Sequence, residues 1–434
     1  MRDLLLIAIV IAGSLAALRR PWIGIMLWTW LSIMNPHRYT WGLAYDAPLA
    51  AVVAACVVLG LLVTKERESP FKASPVTWIA LFMLWMTLSW LAGIDPAGDY
   101  EQWKKVMKID VMILVALMLL HSKQHIFALA WVVTGSLALL GLKGGIFTLT
   151  SGGSFRVWGP PGSFIEDNNE FALALVMTIP LLRFLQLQLD NRWARLGMTG
   201  AMVLCAAAAL GSQSRGALLA IAAMVLYLWW NGKNKLGIGL LILAAAIPLI
   251  LFMPDTWVSR MSTIGTYEED ASAMGRISAW WSAWNSAWHY PFGVGFNSAR
   301  PELFALYSPY PDTARAAHSI YFQVLGNHGF MGLFLFLGVF IATWRSADWL
   351  RRQKFPAQEA QWCSELGTLC QVSLAGYAVG GAFLSLSYFD LPYNIMVLVV
   401  LTRIWAEKQG WQTEPAYAPG WKTIPGLAKL TKPG

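Results

Sequence analysis

Charged side chains are scarce in this 434-residue chain, of which Asp, Glu, Lys and Arg make up only 13%. Soluble domains carry about 25% charged residues, so a soluble fold of this size is excluded. The formal net charge is +8, but no basic stretch is interleaved with aromatic residues. The excess therefore does not indicate nucleic-acid binding, and it fits membrane anchoring and anionic ligands instead.

Metal-ligand motifs and internal repeats are absent as well. The sequence has no Asp-x-Asp, no His-Glu-x-x-His and no carboxylate cluster at metal-ligand spacing, so we expect neither a metal nor a cofactor. No clear repeat is found, which disfavours a transporter built from inverted repeats. The few cysteines match no zinc-site spacing and are expected to be inert thiols in apolar segments: Cys56, Cys205, Cys363 and Cys370.

Long apolar runs are what the chain does have, and 57% of its residues are hydrophobic. The runs predict an all-α, polytopic membrane bundle with about 12 transmembrane helices. The first run is expected to be a retained helix, because no small-residue cleavage site follows it. The runs lie near 4–18, 22–34, 47–63, 76–92, 109–120, 126–142, 171–182, 197–210, 216–230, 236–253, 329–344, 366–386 and 394–405.

Lys and Arg set the predicted orientation of these helices. They cluster in alternate loops, for example around Lys65 and Arg67 and around Arg351 and Arg352, and we assign these loops to the cytoplasm. Residues 411–434 are predicted to be a cytoplasmic tail that follows a single membrane domain, 1–410. The loops predicted to face outward are 35–46, 93–108, 143–170, 211–215, 254–328 and 387–393.

Arg215 lies in a polar break, Gly211-Ser-Gln-Ser-Arg-Gly216, between two long apolar runs. An arginine at membrane depth costs roughly 2.5–3.5 kcal/mol, so it needs water or an anionic partner. A helix that begins at Gly216 would add free N–H groups and a positive dipole end, which favour phosphate or pyrophosphate. The alternative is an interfacial arginine whose side chain reaches the lipid headgroups.

The large outward loop gathers most of the remaining polar chemistry. Within it, Ser272 to Trp288 is predicted to form a helix on the outer membrane surface. Its tryptophans recur every four residues and share one face, and membrane anchoring is the favoured interpretation for them. Arg276 lies one turn before the first of them and shares that face. The tryptophans are Trp280, Trp284 and Trp288.

His318 stands where this loop re-enters the membrane, in His318-Ser-Ile-Tyr321. Histidine is suited to take a proton near neutral pH, although a lone histidine is more often structural. His328, ten residues on, is the other candidate. The remaining arginines of the loop are expected to be surface charges: Arg260, Arg300 and Arg315.

Taken in order, these motifs resemble the O-antigen ligase superfamily, which also contains O-antigen polymerases and protein O-oligosaccharyltransferases. The resemblance covers roughly 150–400, and at Asn327 many relatives have Glu instead. The first 120 residues, including Trp28-Thr-Trp-Leu-Ser-Ile-Met-Asn-Pro-His-Arg38, resemble the exosortase-associated O-glycosylation ligase branch. The motifs are Arg156 to Asn169, Ser212-Gln-Ser-Arg-Gly216, Gly275-Arg-Ile-Ser-Ala-Trp280, Pro291-Phe-Gly-Val-Gly-Phe296 and His318-Ser-Ile-Tyr321 with Gly326 and Gly329.

The resemblance implies an inverting, metal-independent glycosyl transfer at the periplasmic face of the bacterial inner membrane. The donor would be a glycan on undecaprenyl pyrophosphate, and 1–410 would be the catalytic domain. Arg215 and Arg276 would bind the pyrophosphate, and His318 would deprotonate the acceptor hydroxyl. Further candidates for the site are Arg156, Asn168 and His328.

The predicted acceptor is the lipid A–core oligosaccharide, which would make the protein an O-antigen ligase. The single histidine and the compact outer loop favour the ligase, and no added soluble domain exists to capture a protein. The alternatives are a growing glycan, as in a polymerase, or a protein Ser or Thr, as in an O-oligosaccharyltransferase. A polysaccharide or lipid transporter is the alternative of another class, but the polar residues gather at one face rather than at the bilayer midplane.

Overall fold

The chain is helical throughout the residues that the computed structural model describes, which are 2–231, 271–310 and 314–414. No strand occurs in these ranges, so the all-α prediction is confirmed for them. The helices are α1 Arg2–Arg19, α2 Pro21–Met34, α3 Leu43–Asp46, α4 Leu49–Val63, α5 Ser74–Leu91, α6 Pro96–Leu119, α7 Lys123–Thr150, α8 Asn168–Leu187, α9 Arg192–Gly211, α10 Arg215–Asn231, α11 Ala271–His289, α12 Pro301–Tyr307, α13 Ile320–Arg352, α14 Gln361–Gly380, α15 Asp390–Glu407 and α16 Gly410–Thr413.

Within the described ranges, six helical segments are long and apolar enough to cross a membrane. They are α5, α7, α8, α9, α13 and the segment Gln358–Phe383 around α14, and the shorter apolar helices α2, α4 and α10 accompany them. These segments support a multi-pass membrane protein. Each predicted apolar run overlaps a described helix except 236–253, which lies outside the described residues. The predicted number of spans is not confirmed.

Short polar side chains begin several of these helices. Asp95 accepts a hydrogen bond from the Gly98 N–H at 2.9 Å where α6 begins. Asp167 accepts one from the Asn169 N–H at 2.8 Å where α8 begins. Each cap satisfies a backbone donor that has no partner within its helix, so the first turns of α6 and α8 are fixed locally.

Helices α8 and α15 form the centre of the bundle. Nearly every side chain of α8 is buried, and α8 packs on α7, α9, α10 and α14. The side chains of α15 from Asp390 to Thr402 are buried without interruption, and α15 packs on α6, α7, α13 and α14. Because α8, α10, α13 and α15 begin at the same end of the bundle, the residues that precede and open these helices meet there.

We call this end the His318 end. Hydrogen bonds join its loops: Asn168 donates to the Ser212 carbonyl at 2.6 Å, and the Phe296 N–H donates to Asp99 at 2.8 Å. At the opposite end, the Glu68 carboxylate contacts both Lys72 and Lys408. These contacts place loops of the described ranges at two opposite ends of the bundle.

The helix predicted from Ser272 to Trp288 is confirmed as α11. It runs beside the first part of α13, where Trp280 stacks on Phe322 with 5.0 Å between ring centroids. Gly326 allows this approach, because an added Cβ would crowd the α11 surface. Helix α13 then bends at Gly329, whose φ is 68°. The predicted loop 254–328 is therefore helical in part, while its residues 254–270 and 311–313 lie outside the described residues.

Candidate active site

His318 is held in a left-handed backbone conformation directly before α13, with φ of 42°. A non-glycine residue in that region stores about 1–3 kcal/mol of strain, so its neighbours must fix it. The Trp280 indole N–H donates to the Ala317 carbonyl at 2.7 Å, and Ser319 begins α13 by accepting from the Phe322 N–H. The His318 side chain is 43% exposed, so its ring is held in position and open to a substrate.

Glu170 is the partner of His318, and sequence reasoning missed it. It lies in the first turn of α8 with its side chain only 6% exposed, and its Oε1 is 3.8 Å from His318 Nδ1. The same oxygen accepts a hydrogen bond from the Ser385 N–H at 3.2 Å. A buried carboxylate at this distance can orient the imidazole ring and stabilise its protonated form.

Asn168 connects the start of α8 to the turn that precedes Arg215. Its side-chain amide donates to the Ser212 carbonyl at 2.6 Å, and it is buried. Two residues later, Ser214 accepts from the Ala217 N–H at 3.2 Å and so begins α10. Arg215 is the first residue of that helix, one residue before the start that the sequence predicted at Gly216, and a helix start favours an anion.

The start of α10 also lies against the segment that supports Glu170. An added Cβ on Gly380 would be only 3.3 Å from the Gly216 carbonyl oxygen, so the two backbones are in close contact. The chain continues from Gly380 to Ser385, whose N–H bonds to Glu170. Two chains of short contacts therefore connect the start of α10 with Glu170, the partner of His318. One runs through Asn168, and the other runs through the segment from Gly380 to Ser385.

Arg276 lies on α11, the helix that packs beside the His318 loop. It lies one helical turn, about 6 Å of rise, before Trp280, and Trp280 is bonded to the residue that precedes His318. Arg215 and Arg276 are each partly exposed. Arg215 thus begins α10, and Arg276 lies on the helix whose Trp280 contacts the residue before His318.

The three tryptophans of α11 do not share one role. Trp280 is half-buried and positions the His318 loop, a role that the anchoring interpretation did not foresee. Trp284 and Trp288 are 42% and 65% exposed and pack on Phe330. These two remain suited to the membrane interface.

The Pro-Phe-Gly-Val-Gly-Phe turn is a structural clamp beneath the site. Gly293 and Gly295 have φ of 84° and 110°, a region open to glycine at no steric cost. The Gly295 N–H donates to the Asn327 carbonyl at 3.1 Å, and the Phe296 N–H donates to Asp99 at 2.8 Å. The Asn327 side-chain amide donates to the Phe296 carbonyl at 3.2 Å, and its oxygen accepts from the Ser298 N–H at 3.0 Å. The Asn327 side chain therefore serves packing rather than catalysis.

Arg300 belongs to the same clamp, so the prediction that it is an ordinary surface charge was wrong. Its side chain is 16% exposed and bonds to Asp99 at 3.0 Å, with Asp95 at 3.5 Å. Pairing satisfies the buried carboxylate of Asp99, which would otherwise be costly to bury. Arg315 packs on α11 next to Gly275, and Arg260 lies outside the described residues.

We expect Gly293→Ala to destabilise the protein strongly. The new Cβ would lie 2.2 Å from the Asn327 carbonyl oxygen, and the backbone strain alone costs about 1–3 kcal/mol. The melting temperature of the purified protein in detergent should fall by several degrees. Gly135→Ala is the matched control, because nothing lies within 4 Å of its Cβ position in α7. Equal melting temperatures for the two variants would show that the close packing of Gly293 against Asn327 does not require glycine.

Two further candidates occupy other positions. His328 is completely buried, with Nδ1 2.9 Å from the Ser89 hydroxyl and Nε2 2.7 Å from the Tyr388 hydroxyl. Both of its ring nitrogens are engaged within the bundle. Arg156 is exposed and lines a small cavity with Tyr39 and Lys143. We therefore do not include His328 or Arg156 in the site.

Thiols and acidic groups elsewhere in the described ranges form no metal centre. All four cysteines are free thiols. No group of three or more His, Cys, Asp or Glu side chains in those ranges could hold a metal ion. We take His318, Glu170, Arg215 and Arg276 as the candidate site residues.

Comparison with known families adds an independent observation. Residues 200–337 match the family described as O-antigen ligase. This part of the chain is therefore similar to the O-antigen ligase family. The match confirms the resemblance to the superfamily and supports a membrane glycosyltransferase of its ligase and polymerase families. Residues 1–209 match a family of unknown function, DUF5935, and no curated protein matches the chain.

The region that matches the O-antigen ligase family contains Arg215, Arg276 and His318, but it does not contain the whole candidate site. Asn168 and Glu170 lie in the region that matches the family of unknown function. Their contacts with Ser212 and His318 cross from one region to the other. The candidate site is therefore composite, and α8 is the helix that joins its parts.

Proposed function

We propose that the protein is an O-antigen ligase. It transfers a glycan from undecaprenyl pyrophosphate to the lipid A–core oligosaccharide at the periplasmic face of the bacterial inner membrane. The observation that carries this proposal is the partly exposed His318, which is held beside the buried Glu170 and lies within the O-antigen ligase match. The His318 end of the bundle is assigned to the periplasm, and the tail from 411 to the cytoplasm.

Arg215 and Arg276 hold the donor pyrophosphate in this proposal. Departure of a polyprenyl pyrophosphate leaves negative charge on its oxygens, and guanidinium groups can neutralise that charge through paired hydrogen bonds. Arg215 stands at the start of α10, where the free N–H groups and the positive dipole end add to its charge. The reaction therefore proceeds without a metal ion or other cofactor.

His318 activates the acceptor. Its ring takes the proton of the acceptor hydroxyl as the oxygen forms a bond to the anomeric carbon of the donor sugar. The bond from that carbon to the pyrophosphate oxygen breaks, and its electrons leave with the pyrophosphate. Attack from the opposite face inverts the anomeric configuration. Glu170 is a positioning residue that orients the ring and stabilises it once protonated.

A gene deletion tests the choice of acceptor. If the proposal is right, the long glycan ladder disappears from lipopolysaccharide and is restored by the wild-type gene, while the lipid-linked donor accumulates. Loss of the ladder from secreted polysaccharide or from glycoprotein, with lipopolysaccharide unchanged, would instead favour a polymerase or a protein O-oligosaccharyltransferase. The deletion strain also provides the background for testing variants.

Glu170→Gln is expected to lower kcat about 10- to 100-fold with little change in acceptor KM. The amide keeps the size of the side chain but removes the charge that favours protonated His318, which forms only as the reaction proceeds. Glu170→Asp should recover part of the activity, because it restores the carboxylate. Transfer kinetics with purified protein provide the measurement.

A double-mutant cycle separates this role from a structural one. If Glu170 acts through His318, Glu170→Gln should have no further effect in a His318→Ala background. A loss of the same size in both backgrounds would show that Glu170 acts independently of the histidine. Donor binding should be equal in the wild type and in Glu170→Gln.

A further inference from the structure

A second site lies at the His318 end, away from the two donor arginines. It is a cavity of about 690 Å³ among α2, α4 and α6, closed by the loop 162–164 and by Asp390 at the start of α15. Helices α2, α4 and α6 all belong to the region that matches the family of unknown function. Nothing in the proposed transfer reaction uses this cavity.

The walls of the cavity are mostly apolar, and the cavity is partly open to the outside of the bundle. Trp28 and Leu31 of α2, Ala54 of α4 and Met112 of α6 line it. Along α4 the lining extends from Leu49 to Val58, which corresponds to about 14 Å of helix. Val58 is 40% exposed although it is apolar. Such a surface is suited to acyl chains that enter from the side of the bilayer.

The mouth of the cavity is cationic. Lys105 and Lys108 are exposed, line the cavity and lie one turn apart on α6. The Lys105 ammonium lies 4.0 Å from the centre of the Phe164 ring. Neither lysine forms a salt bridge with any other described residue, whereas Lys104 on the same helix pairs with Glu101 at 2.9 Å. The Lys105 ammonium also donates to the Gly162 carbonyl at 3.4 Å, so the mouth carries two cations without a salt bridge to a described residue.

The carboxylates of Asp390 and Glu166 act on Lys105 electrostatically, but neither forms a salt bridge with it among the described residues. Glu101 is paired with Lys104, and Asp390 accepts a hydrogen bond from Ser32 deeper in the cavity. Burial lowers the pKa of His37, and the adjacent Arg38 lowers it further, so His37 is neutral at pH 7. The positive charge at the mouth therefore comes from the lysines.

We propose that this cavity binds the phosphorylated lipid anchor of the acceptor, with acyl chains along α2, α4 and α6 and phosphates on Lys105 and Lys108. This proposal rests on the proposed function, which makes the acceptor a lipid A glycolipid. The closing loop continues from Phe164 to Glu170, which lies beside His318. A glycan that follows this loop out of the cavity is directed to the catalytic base.

The test is lipid binding, measured separately from transfer. Detergent-solubilised protein is titrated with diphosphoryl lipid A and, in parallel, with phosphatidylglycerol. Lys105→Gln with Lys108→Gln should weaken lipid A binding about 10- to 30-fold, since each basic residue near phosphate contributes about a factor of five. Lys104→Gln is the matched control and should bind as the wild type does.

A second pair of variants tests the apolar wall without changing charge. Ala54→Phe fills the cavity and should also weaken lipid A binding, whereas Ala55→Phe lies on the exposed face of α4, outside the lining, and should not. Unchanged lipid A binding in both the lysine pair and Ala54→Phe would overturn the proposal. Equal affinity for phosphatidylglycerol would overturn the assignment to the acceptor. Lipid A binding without any transfer would count against the proposed function and leave this site intact.

Discussion

His318→Ala is expected to reduce glycan transfer about 10²- to 10⁴-fold, the range that a positioned general base contributes. Donor binding should be unchanged, because the two arginines that hold the pyrophosphate lie on α10 and α11. The loss should appear in kcat rather than in KM, since the proton is transferred only in the chemical step. Single-turnover transfer with preloaded donor is the measurement.

His318→Asn gives a sharper version of this test. Asparagine tolerates the left-handed backbone that position 318 adopts, so the loop and its contact with Trp280 should survive while the base is lost. His289→Ala serves as the control, because His289 is exposed and its ring bonds only to the Asn285 carbonyl of its own helix. Full transfer by His318→Asn would show that His318 is not the base.

Neutralising Arg276 or Arg215 is expected to cause the second large effect. Removing one preorganised donor to a developing negative charge typically costs about 10²- to 10³-fold in rate. Here donor affinity should fall as well, because the pyrophosphate is already charged before it leaves. Lysine should rescue only partly at either position, since it lacks the planar, two-pronged donor geometry of arginine.

Titration of Arg215→Gln and Arg276→Gln with a pyrophosphate-linked donor measures this effect. Arg192→Gln is the control, because Arg192 is exposed at the start of α9, at the opposite end of the bundle. If both site variants bind donor with wild-type affinity and transfer at wild-type rate, the arginines have ordinary interfacial roles. That was the alternative that the sequence left open for Arg215.

Much of the fold could be predicted because its signals are local. Apolar runs marked the long helices, and the four-residue spacing of tryptophans placed α11 to within one residue at each end. The polar break before Arg215 marked a helix start for the same reason. Helix positions and helix starts depend on periodicity and capping, and both can be identified from residues that are close together in the sequence.

The missed features depend on contacts between distant parts of the chain. Glu170 lies beside His318 only because α8 and α13 begin at the same end of the bundle. The distance between the two residues along the sequence does not predict this contact. In the sequence Arg300 has the features of an exposed loop residue, and only the fold shows that Asp99 of α6 lies beside it. The same holds for His328, whose environment is set by Ser89 and Tyr388 from two other helices.

In the proposed reaction His318 acts as the base while a lipid-linked glycan passes to a lipid A–core acceptor. The most direct measurement of this reaction is a reconstituted assay in which purified protein receives one undecaprenyl pyrophosphate-linked glycan and three acceptors together: lipid A–core, free glycan and a Ser/Thr-containing protein substrate. We expect the wild type to glycosylate lipid A–core with inversion at the anomeric carbon, and His318→Asn to yield no product despite bound donor. Product on the glycan or the protein, or undiminished product from His318→Asn, would contradict it.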